Sequence, residues 1–142
     1  MCLSRVTKKY EEGKYPTKTG YKIMTKDKET GNYKGLYQFY TYNKTELNEE
    51  KSYPRGVITA DDGTCYKKGF HAIRYYKDVL DYYRSHCLFK YGPAPYEKLT
   101  DHTSYPIIVK IKGKVSCEGI QSYWLNNFES YIFENFKIIK EM

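Results

Sequence analysis

The stretch 66–83, Y-K-K-G-F-H-A-I-R-Y-Y-K-D-V-L-D-Y-Y, brings together residue types suited to holding a flat anion. Gly69 allows a close approach to the backbone. Phe70 offers a ring for stacking and His71 a hydrogen-bond donor. A helix predicted just behind them adds the partial positive charge of its N-terminus. A second cluster, Tyr53-Pro54-Arg55, pairs another ring with one of four arginines, whose planar guanidinium can clamp phosphate. Arg5 supplies a further donor. The candidate ligand-binding set is therefore Arg5, Tyr53, Arg55, Phe70 and His71. Its chemistry is non-covalent: stacking on a base, ion pairing to phosphate, and enclosure by loops at sheet edges, with a homodimer as one way of closing the pocket. The plain alternative makes Phe70 a core ring, His71 a hydrogen-bonded surface residue and Arg55 a surface arginine.

Catalytic and metal-binding motifs are missing from the sequence. His71, His86 and His102 have no cysteine or carboxylate beside them at zinc spacing, and Cys2, Cys65, Cys87 and Cys117 form no C-x-x-C pair. No phosphate-binding Walker loop, dinucleotide glycine fingerprint or Gly-x-Ser-x-Gly occurs. No catalytic residue, metal or cofactor is expected.

Composition bounds the rest. The chain has 142 residues and a formal charge of 24 − 17 = +7, and 18 of its residues are tyrosine. A domain of this length buries roughly two-thirds of its unfolded surface and needs no metal or disulfide staple. Aliphatic residues are few, so aromatic rings must build much of the core. Lysines number 20, and lysine, tyrosine and isoleucine share A/T-rich codons, so part of the surplus needs no functional cause. Most lysines are expected to be solvated surface. No apolar run reaches the roughly 18 residues of a membrane span. The opening residues 1–10 are polar and basic, unlike a secretory signal. The cysteines then read as reduced thiols of a cytosolic protein.

The elements that must position these residues follow from periodicity. Residues 21–25 (YKIMT) and 35–42 (GLYQFYTY) read as strands of a hairpin around the turn signal Thr30-Gly31-Asn32. Residues 56–60 and 64–73 read as strands about Asp61-Asp62-Gly63. Tyr76, Val79, Leu80, Tyr83 and Cys87 fall on one face of a helix over residues 76–87. Residues 107–112 form a strand that continues past a bend at Gly113, and residues 131–141 form a last strand. Residues 8–19 read as a flexible, loop-like arm. The expected class is α+β: one domain over 1–142, with a single, mostly antiparallel sheet of about six strands and one main helix.

The order GYKI, then GFHA followed by DVLDYY, then IVKIKG-K-V and EG, resembles small phage and prophage proteins over residues 20–119. More loosely, the same order resembles the ADP-ribosyltransferase-like fold. The enzymes of that fold use a glutamate to steer nicotinamide-ribose chemistry. Here Glu118 and Gln121 form E-G-I-Q rather than Q-x-E or E-x-E, and no H-Y-E set is in register. By genre, a basic phage protein with a pocket and no catalytic set is similar to the sponges that sequester nucleotide immune signals such as cyclic ADP-ribose. That resemblance implies a non-catalytic binder of a small anionic nucleotide, acting in a host-cell cytosol. Two other functions stand beside it. One is a transferase or NAD-cleaving enzyme using Glu118 with His71 in support. The other is a nucleic-acid or host-protein binder with Tyr37, Phe39, Tyr40 and Tyr42 as a stacking platform. Against that last reading, no segment of the sequence is a clean basic stripe.

Overall fold

A computed structural model describes residues 3–35, 41–42, 70–91, 103–123 and 126–142. In chain order these form β1 (Arg5–Lys9), β2 (Thr17–Asp27), β3 (Tyr33–Gly35), β4 (Thr41–Tyr42), β5 (Phe70–Ile73), helix α1 (Tyr76–Tyr91), β6 (Ser104–Tyr123), β7 (Asn126–Phe133) and β8 (Lys137–Glu141). The class is α+β, with one antiparallel sheet and one helix. The predicted strand at 56–60, residues 64–69 of the predicted strand at 64–73 and most of residues 35–42 lie outside the described residues. So do Tyr53 and Arg55.

The 20-residue β6 is the spine. Val109, Ile111, Gly113 and Val115 are buried, while Lys110, Lys112 and Lys114 between them face out, the period-two signature of a half-buried strand. β1 and then β2 run along one edge of β6. Tyr10 N donates to Ser116 O and Val115 N to Pro16 O, both at 3.0 Å, where residues 10–16 join the two strands. The ends of the expected arm at 8–19 thus belong to strands: Lys8 and Lys9 to β1, Thr17–Thr19 to β2. β7 and then β8 run along the other edge, with Glu134 N donating to Lys114 O at 2.7 Å.

The tail predicted as one strand is therefore two, and Gly113 is where they divide. Asn135 arches over it so closely that a Cβ at position 113 would lie 1.8 Å from the Asn135 carbonyl oxygen. The Asn135 side chain accepts a hydrogen bond from Lys114 N at 3.1 Å.

β5 pairs with β7 over its four residues and with β2 through Tyr21 and Ile73. The circuit β6–β7–β5–β2–β6 closes on itself, a small barrel-like ring that leaves these strands few free edges. Its interior holds Met24, Phe70, Ala72, Val109, Ile111, Val115, Phe133 and Phe136, all buried. Phe70 meets Phe136 edge-on at 5.0 Å. Burial of such a side chain is worth roughly 1.5–3 kcal/mol each. Gly20 lets β2 come close to β5: a Cβ there would stand 3.3 Å from Ile73 O and 3.4 Å from the Ala72 Cβ.

Outside the ring, α1 covers Ile23, Ile73, Ile108 and Phe128 with Val79 and Tyr82. Asp78 stands in the first helical turn, where a negative charge suits the dipole. The apolar stripe is rotated slightly from the predicted one. Tyr82 is buried against Phe128, and Tyr76 stays exposed while its ring leans on Tyr21 at 5.4 Å. The β2–β3 turn forms where expected: Asp27 Oδ1 accepts from Glu29 N and Thr30 N, and Gly31 takes a φ of 72°.

Candidate functional site

A β-bulge determines where the polar chemistry gathers. In the β6–β7 ladder Val115 faces Phe133 and Cys117 faces Ile132, so Ser116 is an extra residue. The bulge reverses the alternation of β6. Cys117 then packs with Leu3 and Ile132 on the outer face, and Glu118 swings to the same side as Tyr131. One row across the sheet reads Ala72, Tyr131, Glu118, Lys8. Lys18 approaches it from β2.

The Glu118 carboxylate is the centre. Its Oε2 accepts hydrogen bonds from the Tyr10 hydroxyl and from Lys18 Nζ, the latter at 3.0 Å. Lys18 Nζ also stands 5.8 Å from the centre of the Tyr10 ring and 5.4 Å from that of Tyr131, so cation–π attraction adds to the ion pair. Lys8 caps the Tyr10 ring at 4.9 Å. Beyond β5, Arg74 bonds Glu129 at 3.3 Å and lies 5.0 Å from the centre of the exposed Tyr75 ring.

These neighbours set the charge states. Burial works against ionisation of Glu118, but hydrogen bonds from Tyr10 and Lys18 and the charges of Lys18 and Arg74 outweigh it, holding the carboxyl below its ordinary range. The hydrogen bond to Glu118 keeps Lys18 above the usual lysine value despite its desolvation. Burial raises the Tyr131 phenol, against the opposing pull of Arg74 and Lys18. At neutral pH the site thus combines an ionised acceptor, the cations Lys18 and Arg74, and the raised phenol of Tyr131. Such a set can hold a ligand bearing both phosphates and hydroxyls.

Reactive groups lie elsewhere. Burial pushes the Cys117 thiol up to about 12 on the outer face, which leaves it inert. Desolvation brings Lys22 down to about 8. Lys22 is half-buried as a residue, but its amine is tucked among protein atoms and donates to the His71 carbonyl at 2.9 Å. The amine serves that carbonyl where the β2–β5 ladder has stopped. Among the described residues no group of three or more His, Cys, Asp or Glu side chains could hold a metal, and no helix is long and apolar enough to cross a membrane.

Among the described residues, Arg5 is not brought together with Phe70 and His71. Phe70 is fully enclosed in the core, so the plain alternative holds for it and no ligand base reaches its ring. His71 is half-buried on β5. Arg5 is exposed on β1 opposite Ile120, five positions along β6 from the Val115–Phe133–Phe70 row, or about 17 Å of strand. Tyr53 and Arg55 are outside the described residues. The cluster that does form uses Tyr10, Lys18, Arg74, Glu118 and Tyr131. Of these, the sequence drew attention to Glu118 through the transferase resemblance, and to Arg74 only as part of the stretch 66–83. A lone carboxylate in a 20-residue strand otherwise made of neutral and basic residues was the available signal. Alternation alone misplaces it because the bulge at Ser116 changes the phase.

Comparison with protein families, with curated proteins and with solved structures finds no match to this chain.

Proposed function

We propose that the protein binds and sequesters a small anionic nucleotide of the cyclic ADP-ribose class without transforming it, countering an immune signal in the cytosol of a host cell. One observation carries this reading: Lys18 and Arg74 stand with Tyr10, Tyr75 and Tyr131 around an ionised, half-buried Glu118. Cations meet phosphate, the exposed Tyr75 ring meets the base, and the carboxylate accepts from ribose hydroxyls. Arg74 and Tyr75, already stacked and partly exposed, offer the widest contact. The groups around Glu118 include no nucleophile poised near neutrality, which favours holding over turnover.

The direct experiment incubates the protein with cyclic ADP-ribose, removes free compound, denatures the protein by heat and identifies what is released by mass spectrometry. Intact ligand at stoichiometric yield is expected. A converted product, or no retained compound, rules sequestration out.

One feature favours a second reading, ADP-ribosyl transfer or NAD cleavage: Glu118 is ionised and stands with a tyrosine and an arginine near it. On that reading incubation with NAD releases nicotinamide and Glu118→Gln abolishes the release. Absence of nicotinamide, with or without an acceptor protein, removes it.

A further inference from the structure

The outward face of β6 carries Lys110, Lys112 and Lys114 at alternate positions. On β8, Lys140 pairs directly with Lys110 and Lys137 with Lys112. A bulge at Ile139 brings these two lysines, three residues apart in sequence, onto one face. On the β2 side the same lysines of β6 face Thr17, Thr19 and Tyr21, none of them acidic. Lys112, Lys114 and Lys140 are exposed, and Lys110 and Lys137 half-buried. None of the five is ion-paired to a carboxylate of the described residues. Glu141, next to Lys140, turns to the opposite face, where Lys26 and Tyr33 hold it.

Directly opposed like charges weaken a sheet, and the chain has 17 acidic residues with which to avoid them. Two Lys–Lys cross-strand pairs side by side therefore make a face whose repulsion is relieved by an anion from outside. Alternate residues on a strand are about 6.8 Å apart and neighbouring strands about 4.8 Å. The five ammoniums thus span roughly 14 Å, a length over which duplex nucleic acid presents about eight phosphates.

We infer that this face docks on the phosphate backbone of double-stranded nucleic acid, without reading sequence. A duplex suits it better than a single strand. Single-strand binders stack bases on rings free to receive them, whereas the rings beside this face, Tyr21 and the exposed Tyr76, lean on each other at 5.4 Å, and Lys110 stands 6.0 Å from the centre of Tyr21. The surface is separate from the Glu118 cluster, so it stands or falls independently of the nucleotide-binding proposal.

The experiment measures affinity for a labelled 20-base-pair DNA of arbitrary sequence against salt. Five phosphate contacts give a slope of log K on log salt of about −4.5, so affinity falls by roughly several hundred-fold between 50 and 200 mM. Combining Lys112→Gln, Lys114→Gln and Lys140→Gln should weaken binding at least about tenfold and reduce the slope to about −2. A charge-matched control combining Lys14→Gln, Lys28→Gln and Arg84→Gln, all outside β6 and β8, should leave both nearly unchanged. Circular dichroism confirms that each variant is folded. Equal losses in the two triple variants mean general attraction to a basic protein and overturn the inference. So does tighter binding to a single strand or to anionic vesicles than to the duplex.

Discussion

The two ends of β2 carry the same three-residue clasp. At one end Lys18 and Tyr10 both bond Glu118; at the other Lys26 and Tyr33 both bond Glu141. In each, the lysine stands 5.8 Å from the centre of the tyrosine ring. The surroundings differ. The Glu118 side chain is 16% exposed and has Arg74, Lys8 and Tyr131 as further neighbours, whereas Glu141 is 37% exposed, next to the end of the chain. The Lys26 clasp fastens β8 and β3 to β2. The Lys18 clasp does the same for β1, and it also gathers charge and rings around a half-buried carboxylate. A Tyr–Glu–Lys arrangement is therefore a strand fastener first; added cations and burial make one copy a candidate site.

Substitutions can break or sharpen that contrast. The largest effect is expected at Gly113, which pairs with Lys18. A Cβ there would lie 1.8 Å from the Asn135 carbonyl oxygen, so Gly113→Ala should cost about 3 kcal/mol or more in urea unfolding. Amide exchange should rise first around the Lys18 clasp; an equal rise at Lys26 would show that the two ends are not separable.

Next, Glu118→Gln removes two charge-assisted bonds from a half-buried site and should cost about 2 kcal/mol. The matching Glu141→Gln, more exposed, should cost less than about 1 kcal/mol. Reversal of that order would erase the distinction between the two clasps. The Glu118 effect should also depend on pH. Its folded-state pKa lies below the unfolded value, so its stabilisation is present above about pH 4.5 and lost as the pH falls through the folded value. The gap between wild type and Glu118→Gln should close in acid.

Ligand affinity offers a third contrast. Arg74→Ala should weaken nucleotide binding about tenfold, the equivalent of about 1.4 kcal/mol, by isothermal titration, while Lys26→Ala leaves it unchanged. A loss on Lys26→Ala would move the site to the other clasp.

The smallest effect concerns Lys22, between the clasps. Desolvation lets its amine lose the proton at about pH 8 in the fold, so wild-type stability should rise as the pH goes from about 8 to the ordinary lysine value. Lys22→Met should gain about 1 kcal/mol at pH 7, after allowing for the unserved His71 carbonyl, and the gain should vanish above pH 10. A pH-independent difference would show that the amine is not desolvated.

Local pattern was enough for much of the fold. The helix, the strand through 107–117, the Thr30-Gly31-Asn32 turn and the antiparallel class rest on period and turn chemistry, which neighbours in sequence determine. The basic surplus and the absence of catalytic and metal motifs are likewise properties of the chain itself. Tertiary structure decided where those residues meet. Each clasp joins a tyrosine and a glutamate 108 positions apart, a separation no local pattern encodes. Phe70, read as a stacking ring, is core because β5 lies within the closed circuit. The bulge at Ser116 turned Glu118 towards the tyrosines against the strict alternation of a strand. No single segment forms a basic stripe, yet β6 and β8 assemble one across strands, with a bulge bringing the β8 lysines onto one face. Side-chain phase and strand pairing are long-range properties, fixed only when the sheet closes.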